Sequence, residues 1–422
     1  MQYLKKAVRE HPLIHTLLTV KGNPKVLLLM EPLWGLPFFL IAPFVTLYMQ
    51  AQGISDIEIG LLLSAGTAIQ VVCSSLGGIL TDKYGRKKMT MIGDFFGWSL
   101  PCLIWSISGS FWLFFLATAF NSMEQVNQTA WVCLLNEDAE PDQIVHIWNW
   151  VLIAGQISLF FAPISGLFIR NTSVITVMRV LYLIFAIFMM IKNVVTYRYV
   201  NETKQGKIRM AECKGQSIFH MLLESKKIIR DNIKNKATIL TLFVMLGIHC
   251  TTMVTNNFFA LYATSSLGIA ESVLAIFPIF RAAVMLIFFF AAPKILDKIS
   301  MKIPMVVGLV FYTLCQVMLI LCEPENLAVL FVYAFVDAVA FALVVPRKEA
   351  MMVYFVNEQE RARILSLLLT ITLLISTPFG YIAGKLSSMN RQYPFYLNTV
   401  IFAIMAVVLL MSKMKKGKQS TS

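Results

Sequence analysis

Long apolar runs decide what this chain can fold into. Near 26–50, 58–80, 89–108, 111–134, 147–169, 174–196, 238–262, 272–292, 304–322, 327–355, 363–386 and 394–411 the sequence is dominated by apolar residues. At ~1.5 Å rise per residue, each of the twelve is long enough to cross roughly 30 Å of hydrocarbon as a helix. The runs are continuous and do not alternate every second residue. Helices are therefore expected, because a helix satisfies its own backbone in lipid and an open strand does not. With 58% hydrophobic and only 14% charged residues, the chain lacks the roughly 25% charge of a soluble domain. No cleavage site precedes the first run, which is expected to serve as its own insertion signal.

The formal net charge of +13 raises the question of nucleic acid, and its placement answers it. Lys and Arg concentrate before the first run, in the second connection, in 197–236, after runs 8 and 10, and in the tail. On the other side fall only Arg170, Lys385 and Arg391. This is the positive-inside bias of a multi-pass protein of the cell membrane, with both termini cytoplasmic. No nucleic-acid partner is needed to explain it. The seven cysteines show no disulfide or zinc spacing and read as small apolar filler.

The polar stretch between the sixth and seventh runs divides the chain into 1–196, a basic linker 197–236, and 237–422. Within the linker Ile218, Leu222, Ile229 and Ile233 recur opposite Lys226, Lys227, Arg230 and Lys234. That pattern fits a helix lying on anionic lipid or an ordinary solvated linker.

The two halves echo each other. Asp82-Lys83 returns as Asp297-Lys298 and Gly93 as Gly308, Gly53-Ile54 as Gly268-Ile269, and Pro163 as Pro378, each 215 residues later. Leu47-Tyr48 returns as Leu261-Tyr262 and Asn136-Glu137 as Asn357-Glu358 at nearly the same offset. Ordered matches at one spacing indicate a duplicated helical unit, an organising device of many secondary transporters.

The clearest copy lies between the second and third runs. Gly77 and Gly78 allow close helix approach, Gly85 permits a tight turn, and Asp82 is placed to meet a helix N-terminus or Arg86. The pattern Gly78-x-Leu80-x-Asp82-Lys83-x-Gly85-Arg86-Lys87-Lys88 closely resembles the signature of the major facilitator superfamily, and the twelve-run layout extends the resemblance over nearly the whole chain. The resemblance implies an all-α fold of two pseudo-symmetric six-helix bundles that rock between inward-open and outward-open states around a cavity lined by spans 1, 4, 7 and 10. It also implies that Gly78, Asp82, Gly85 and Arg86 form a latch steadying the outward-facing state. In the second copy Ser300 and Met301 replace the glycine and arginine, so a latch at Asp297 should be weaker. Span 4 carries Glu124-Gln125-Val126-Asn127-Gln128 in place of the arginine-containing pattern of drug/proton antiporters, and span 5 only partly matches theirs at Ala162–Gly166.

Ionisable groups in hydrocarbon are costly and normally face a cavity or each other. Here Glu31, Trp34 and Phe38 share a face of span 1, and Asn121, Glu124, Asn127, Gln128 and Trp131 a face of span 4. His249, Thr252, Met253 and Asn256 do the same in span 7, and Asp337, Val344 and Lys348 in span 10, with Arg347 and Glu349 beside them. Helical rise puts Arg281 and Asp337 near mid-membrane and Glu124 nearer the cytoplasm. Whether Arg281 and Asp337 pair is open at this stage. Trp34 and Trp131 are read either as stacking on a substrate or as packing. Arg179 and Lys192, near the ends of span 6, are expected to snorkel, and Asp94 to support the basic loop.

The leading expectation is a monomeric, proton-coupled secondary transporter of a small molecule. Glu124, with Asp337 or Glu31, would change protonation, and aromatic and Met-rich spans favour export of an amphipathic compound. Uptake of a small polar or anionic solute, motivated by Arg281, Arg347 and Lys348, is the second reading, and a non-transporting sensor or lipid-handling scaffold the third. No hydrolase, zinc-enzyme or phosphate-loop motif is present, so neither enzymatic activity nor a cofactor is expected.

Overall fold

The structure, a computed structural model, describes residues 12–54, 56–222, 236–269, 276–296, 298–354, 356 and 358–412. Among them there is no strand. A short helix, Pro12–Thr19, precedes the bundle. The first half then comprises α1 (Gly22–Ala51), α2 (Asp56–Tyr84), α3 (86–107), α4 (Phe111–Asn121 continued by Glu124–Asn136), α5 (Ile144–Leu159 continued by Ala162–Asn171) and α6 (Val174–Tyr199). The second half comprises α7 (Lys236–Ser265), α8 (Ile276–Ala291), α9 (Lys302–Ile320), α10 (Leu327–Tyr354), α11 (Arg361–Met389) and α12 (Tyr393–Met411).

Nine helices among the described residues are long and apolar enough to cross a membrane. The exceptions have local causes. A π-helical segment, Phe95–Ser99, interrupts α3, and α4 is cut at Ser122 and Met123. The two defects meet: Asn121 Nδ2 donates to the Gly97 carbonyl at 2.6 Å, serving an oxygen within the π turn. Wide turns of this kind recur where a helix must re-aim side chains. The shorter α8 begins at the edge of the described residues.

Pseudo-symmetry is visible atom by atom. Tyr48 Oη donates to the Trp105 carbonyl at 2.8 Å, and Tyr262 Oη to that of Leu319 at 3.2 Å. Their rings pack on Tyr182 at 5.8 Å and Phe395 at 5.2 Å. Gly53 and Gly268 take φ of +82° and +68° after α1 and α7, a region where a side chain is strained. A Cβ on Gly93 would lie 2.4 Å from Asn127 Cβ, and one on Gly308 2.5 Å from Val344 Cγ2, so α3 crosses α4 as α9 crosses α10. The repeated Pro163 and Pro378 diverge: the first opens the second segment of α5, where a missing N–H costs nothing, and the second lies inside α11.

The halves join at one end. There one apolar cluster takes Trp131, Leu134 and Trp148 from the first half and Met245, Met352 and Leu365 from the second, and another joins Ile153 to Met285, Phe289 and Ala338. At the opposite end each half buries its own cluster, one around Tyr48, Trp98 and Phe185, the other around Tyr262, Tyr333 and Phe395. The joined end carries the basic turn, so we term it the basic end. There α2 lies along α11, and α5 packs on α8 and α10.

Candidate functional site

At the basic end α2 finishes with Asp82, Gly85 turns the chain at φ +92°, and α3 begins at Arg86. Asp82 and Arg86 are completely buried and 3.2 Å apart. The Arg86 guanidinium also grips Glu137, beyond the end of α4, donating from Nε at 3.1 Å and from a terminal nitrogen at 3.1 Å. The fork geometry suits a carboxylate. The second Asp82 oxygen receives Arg209 at 3.0 Å and Arg363 of α11 at 3.1 Å. Three guanidinium groups thus converge on one carboxylate, drawn from the turn, from the linker and from the second half.

The linker builds much of this arrangement. Its helix, Lys204–Glu212, carries Arg209, and the residue two before that helix caps α3. Gly85 has no side chain to offer the first amides of α3, so Glu202 accepts from the backbone N–H of Arg86 at 3.1 Å and of Lys87 at 3.0 Å. An anion there also meets the positive end of the helix dipole. Thr203 donates to Glu137 at 2.5 Å, Lys83 to the Gln216 carbonyl at 2.7 Å, and Gln205 across to the Gln359 carbonyl at 3.2 Å. Burial works against the charge of Arg209, but the Asp82 carboxylate more than offsets it and its pKa moves up. Burial pushes the Cys213 thiol up, leaving it a neutral acceptor for Arg363 at 3.7 Å.

Gly78 lies at a close approach of the two halves. A Cβ there would stand 2.5 Å from the Ala362 carbonyl oxygen and 2.5 Å from Arg363 Cα. A turn away toward mid-bundle, Ser74 Oγ and Thr370 Oγ1 are 2.9 Å apart. In the second copy Met301 stands where Arg86 would be, and Lys302 instead donates to the Leu410 and Ser412 carbonyls at 2.7 Å each, closing the end of α12. Asp297 and Asn357 lie outside the described residues, as do Ile229, Ile233 and their basic partners in the linker. Ile218 packs back on Ile79 and Met221.

Deeper in the first half, Asp94 is fully buried. It accepts from Asn127 Nδ2 at 2.7 Å and pairs with Lys192 at 3.4 Å. This corrects two expectations: Lys192 does not snorkel but is buried, and Asp94 serves this pair and not the basic loop. The close approach at Gly93 and Gly97 seats α4 against α3 and brings Asn127 onto Asp94. Glu31 and Glu124 fall within electrostatic reach of both Asp94 and Lys192. Glu31 is buried, with 9% of its surface accessible, and its Oε2 has no hydrogen-bond partner. Next to it on α1, Trp34 stacks on Phe38 at 4.8 Å and meets Trp98 edge-on at 5.6 Å.

In the second half Arg281 Nε donates to Asp337 at 2.5 Å, so the pair left open by the sequence is formed. Arg281 also lies over the Phe341 ring, 4.9 Å from its centroid, and keeps 36% of its side chain accessible. His249 and Asn256 are exposed on α7, and His249 is within electrostatic reach of Lys348. Gln128 is half-buried on α4. The structure places the other candidates in the closure. Trp131 stacks edge-on with Trp148 at 5.8 Å inside the shared core. Arg347 is buried and donates to the Leu343 carbonyl at 3.0 Å beside His146, Asn149 and Phe289. Lys348 pairs with Glu349 at 2.5 Å.

Comparison with known proteins agrees with this architecture. Residues 33–346 match the Major Facilitator Superfamily, and the chain belongs to that family of membrane transporters. It is a multi-pass membrane protein. A Bacillus subtilis (strain 168) protein, the uncharacterized MFS-type transporter YqjV, is 29% identical over 150 residues, covering 34% of this chain and 36% of that relative. Among solved structures, a bacterial homologue of the iron transporter ferroportin in an outward-facing state superposes with a TM-score of 0.72 at 12% identity, over 92% of this chain and 99% of that one. The proton:xylose symporter XylE gives 0.69 at 14% identity, over 94% and 97%, and the human organic anion transporter MFSD10 gives 0.64 at 13%, over 92% and 98%. At such identities the likeness speaks for the fold.

Proposed function

We propose that the chain moves a small molecule by alternating access, coupled to protons, with the basic end cytoplasmic and closed in this conformation. The observation that carries the reading is the contrast between the ends: apolar clusters shared by both halves and an ion-pair network bind them at the basic end, while each half buries a core of its own at the other. Between them lies one charge cluster per half, Glu31–Asp94–Glu124–Lys192 and Arg281–Asp337. Carboxylates held away from water in a region that opens alternately to either side are suited to carry protons. Glu124, with Glu31 or Asp337, takes that role, and the segments 1–196 and 237–422 are the rocking units.

Export is favoured over uptake. The cations that motivate an anionic substrate are engaged: Arg347 by backbone carbonyls, Lys348 by Glu349 and Arg281 by Asp337. Proteoliposomes with an imposed pH gradient test this. Solute movement that follows the gradient and is lost in Glu124→Gln and Asp337→Asn supports coupling; flux indifferent to the gradient sinks it. An export reading requires solute to move against the direction of proton entry.

A further inference from the structure

We propose that the first-half cluster binds a lipophilic organic cation, and that Lys192 is a tethered ammonium competing for the same carboxylates. The inference rests on the transporter reading and names the substrate class of its site.

The charge count comes first. Asp94 is satisfied by Lys192 at 3.4 Å and Asn127 at 2.7 Å. Glu31 and Glu124 remain, both sensing the single ammonium of Lys192. Glu31 is more than nine-tenths buried with one oxygen unpartnered, and an unpaired buried carboxylate is costly unless protonated or met by a cation. Three carboxylates served by one lysine therefore leave two negative charges uncompensated, to be met by a cation, by protons, or by one of each. Among the described residues no group of carboxylates, His and Cys converges closely enough to hold a metal ion. The fitting occupant is a diffuse charge.

The wall beside Glu31 supplies the second argument. Glu31, Trp34 and Phe38 follow one face of α1. Trp34 and Phe38 stack at 4.8 Å, and Trp98 meets them edge-on at 5.6 and 6.1 Å. Trp34 and Phe38 are only half-buried, so part of each ring is left for contact with a ligand. Aromatic faces attract cations and bury apolar substituents together, a combination that suits an organic cation. An anion would meet the unpartnered oxygen of Glu31 and be repelled.

The site also explains Lys192. It holds the carboxylates together when the site is empty and yields them to a substrate cation or to protons, so occupant and proton exclude each other. That exclusion is the requirement for exchange of one against the other.

The test uses two probes of one shape and opposite charge, tetraphenylphosphonium and tetraphenylborate, measured by equilibrium dialysis on the purified full chain in detergent. Wild type is expected to bind the phosphonium at least tenfold tighter. Glu31→Gln and Glu124→Gln should each weaken it by roughly tenfold, and Lys192→Gln should tighten it by a similar factor, as removal of a nearby like charge requires. Equal binding of the two probes by wild type overturns the proposal without any variant. So does undiminished phosphonium binding in folded Glu31→Gln and Glu124→Gln. If the phosphonium is not bound but another solute follows a pH gradient, the substrate class falls and the transporter stands. If it binds as described but no solute moves, the site stands and the transporter reading falls.

Discussion

The turn after α2 and its copy after α8 began as one unit, and their present difference shows what duplication preserves. Backbone requirements survive in both: Gly53 and Gly268 keep positive φ, and Gly93 and Gly308 keep the helix crossings tight. Charge does not. In the first copy three arginines converge on Asp82, whereas in the second Met301 replaces the arginine and Lys302 serves α12. A glycine at a close approach admits no alternative, so it is retained wherever the fold is retained. An ion-pair network costs desolvation and is kept only where a state must be held.

This asymmetry can be broken in graded ways. The largest effect is expected from Asp82→Asn, which leaves the buried guanidinium groups of Arg86 and Arg363, and the partly accessible one of Arg209, facing an amide. Loss of one partner from such a network costs about 3 kcal/mol, so transport should fall at least tenfold while insertion and abundance stay near normal, as read by flux and by immunoblot of membranes. Loss of insertion instead would reduce the turn to a topology signal. Gly78→Val should act comparably by steric means, because its side chain would occupy the place of Ala362 and Arg363. The basic end would then be driven open, and the buried Cys213 should react several-fold faster with a maleimide. Unchanged labelling would mean that α2 and α11 separate by another route.

Arg209→Gln should weaken the latch by less, roughly 1 kcal/mol, because Arg86 and Arg363 still hold Asp82 and a partly accessible pair is screened. A several-fold rise in Cys213 labelling with only a modest loss of transport is the expected readout. Gly53→Ala and Gly268→Ala should each cost about 1 kcal/mol of thermal stability and, if the backbone symmetry is real, by matching amounts. Asp297→Asn should be closest to wild type in flux. An effect equal to that of Asp82→Asn would show that the second copy is a working latch after all.

Much of this was legible in residues that declare themselves singly. Asp82 and Arg86 sit four apart around a glycine turn and find each other by local geometry alone. The long apolar runs gave helices of nearly the expected extent, and the repeated tyrosines and glycines led to equivalent positions. What was not legible depends on elements distant in sequence. Nothing in Arg209 or Glu202 announces that the linker folds under the turn and caps α3, because those contacts cross more than a hundred residues. Lys192 was misread since its distance from the helix end suggested snorkelling, whereas the π turn beside Asp94 and the glycine contacts of α3 with α4 place Asp94 within its reach. Its one usable signal was that a lysine and an aspartate both stood in apolar runs, where each needs a partner. Trp131 followed the polar face of α4 in sequence but lies where that face enters the shared core.

The central claim is that α2 and α11 part during the cycle. Ser74 and Thr370, 2.9 Å apart at their hydroxyls, allow it to be tested directly by a Ser74→Cys, Thr370→Cys pair in a chain whose native cysteines are replaced. Oxidation should abolish substrate flux and reduction should restore it. Undiminished flux through the fully cross-linked protein would contradict alternating access through the basic end.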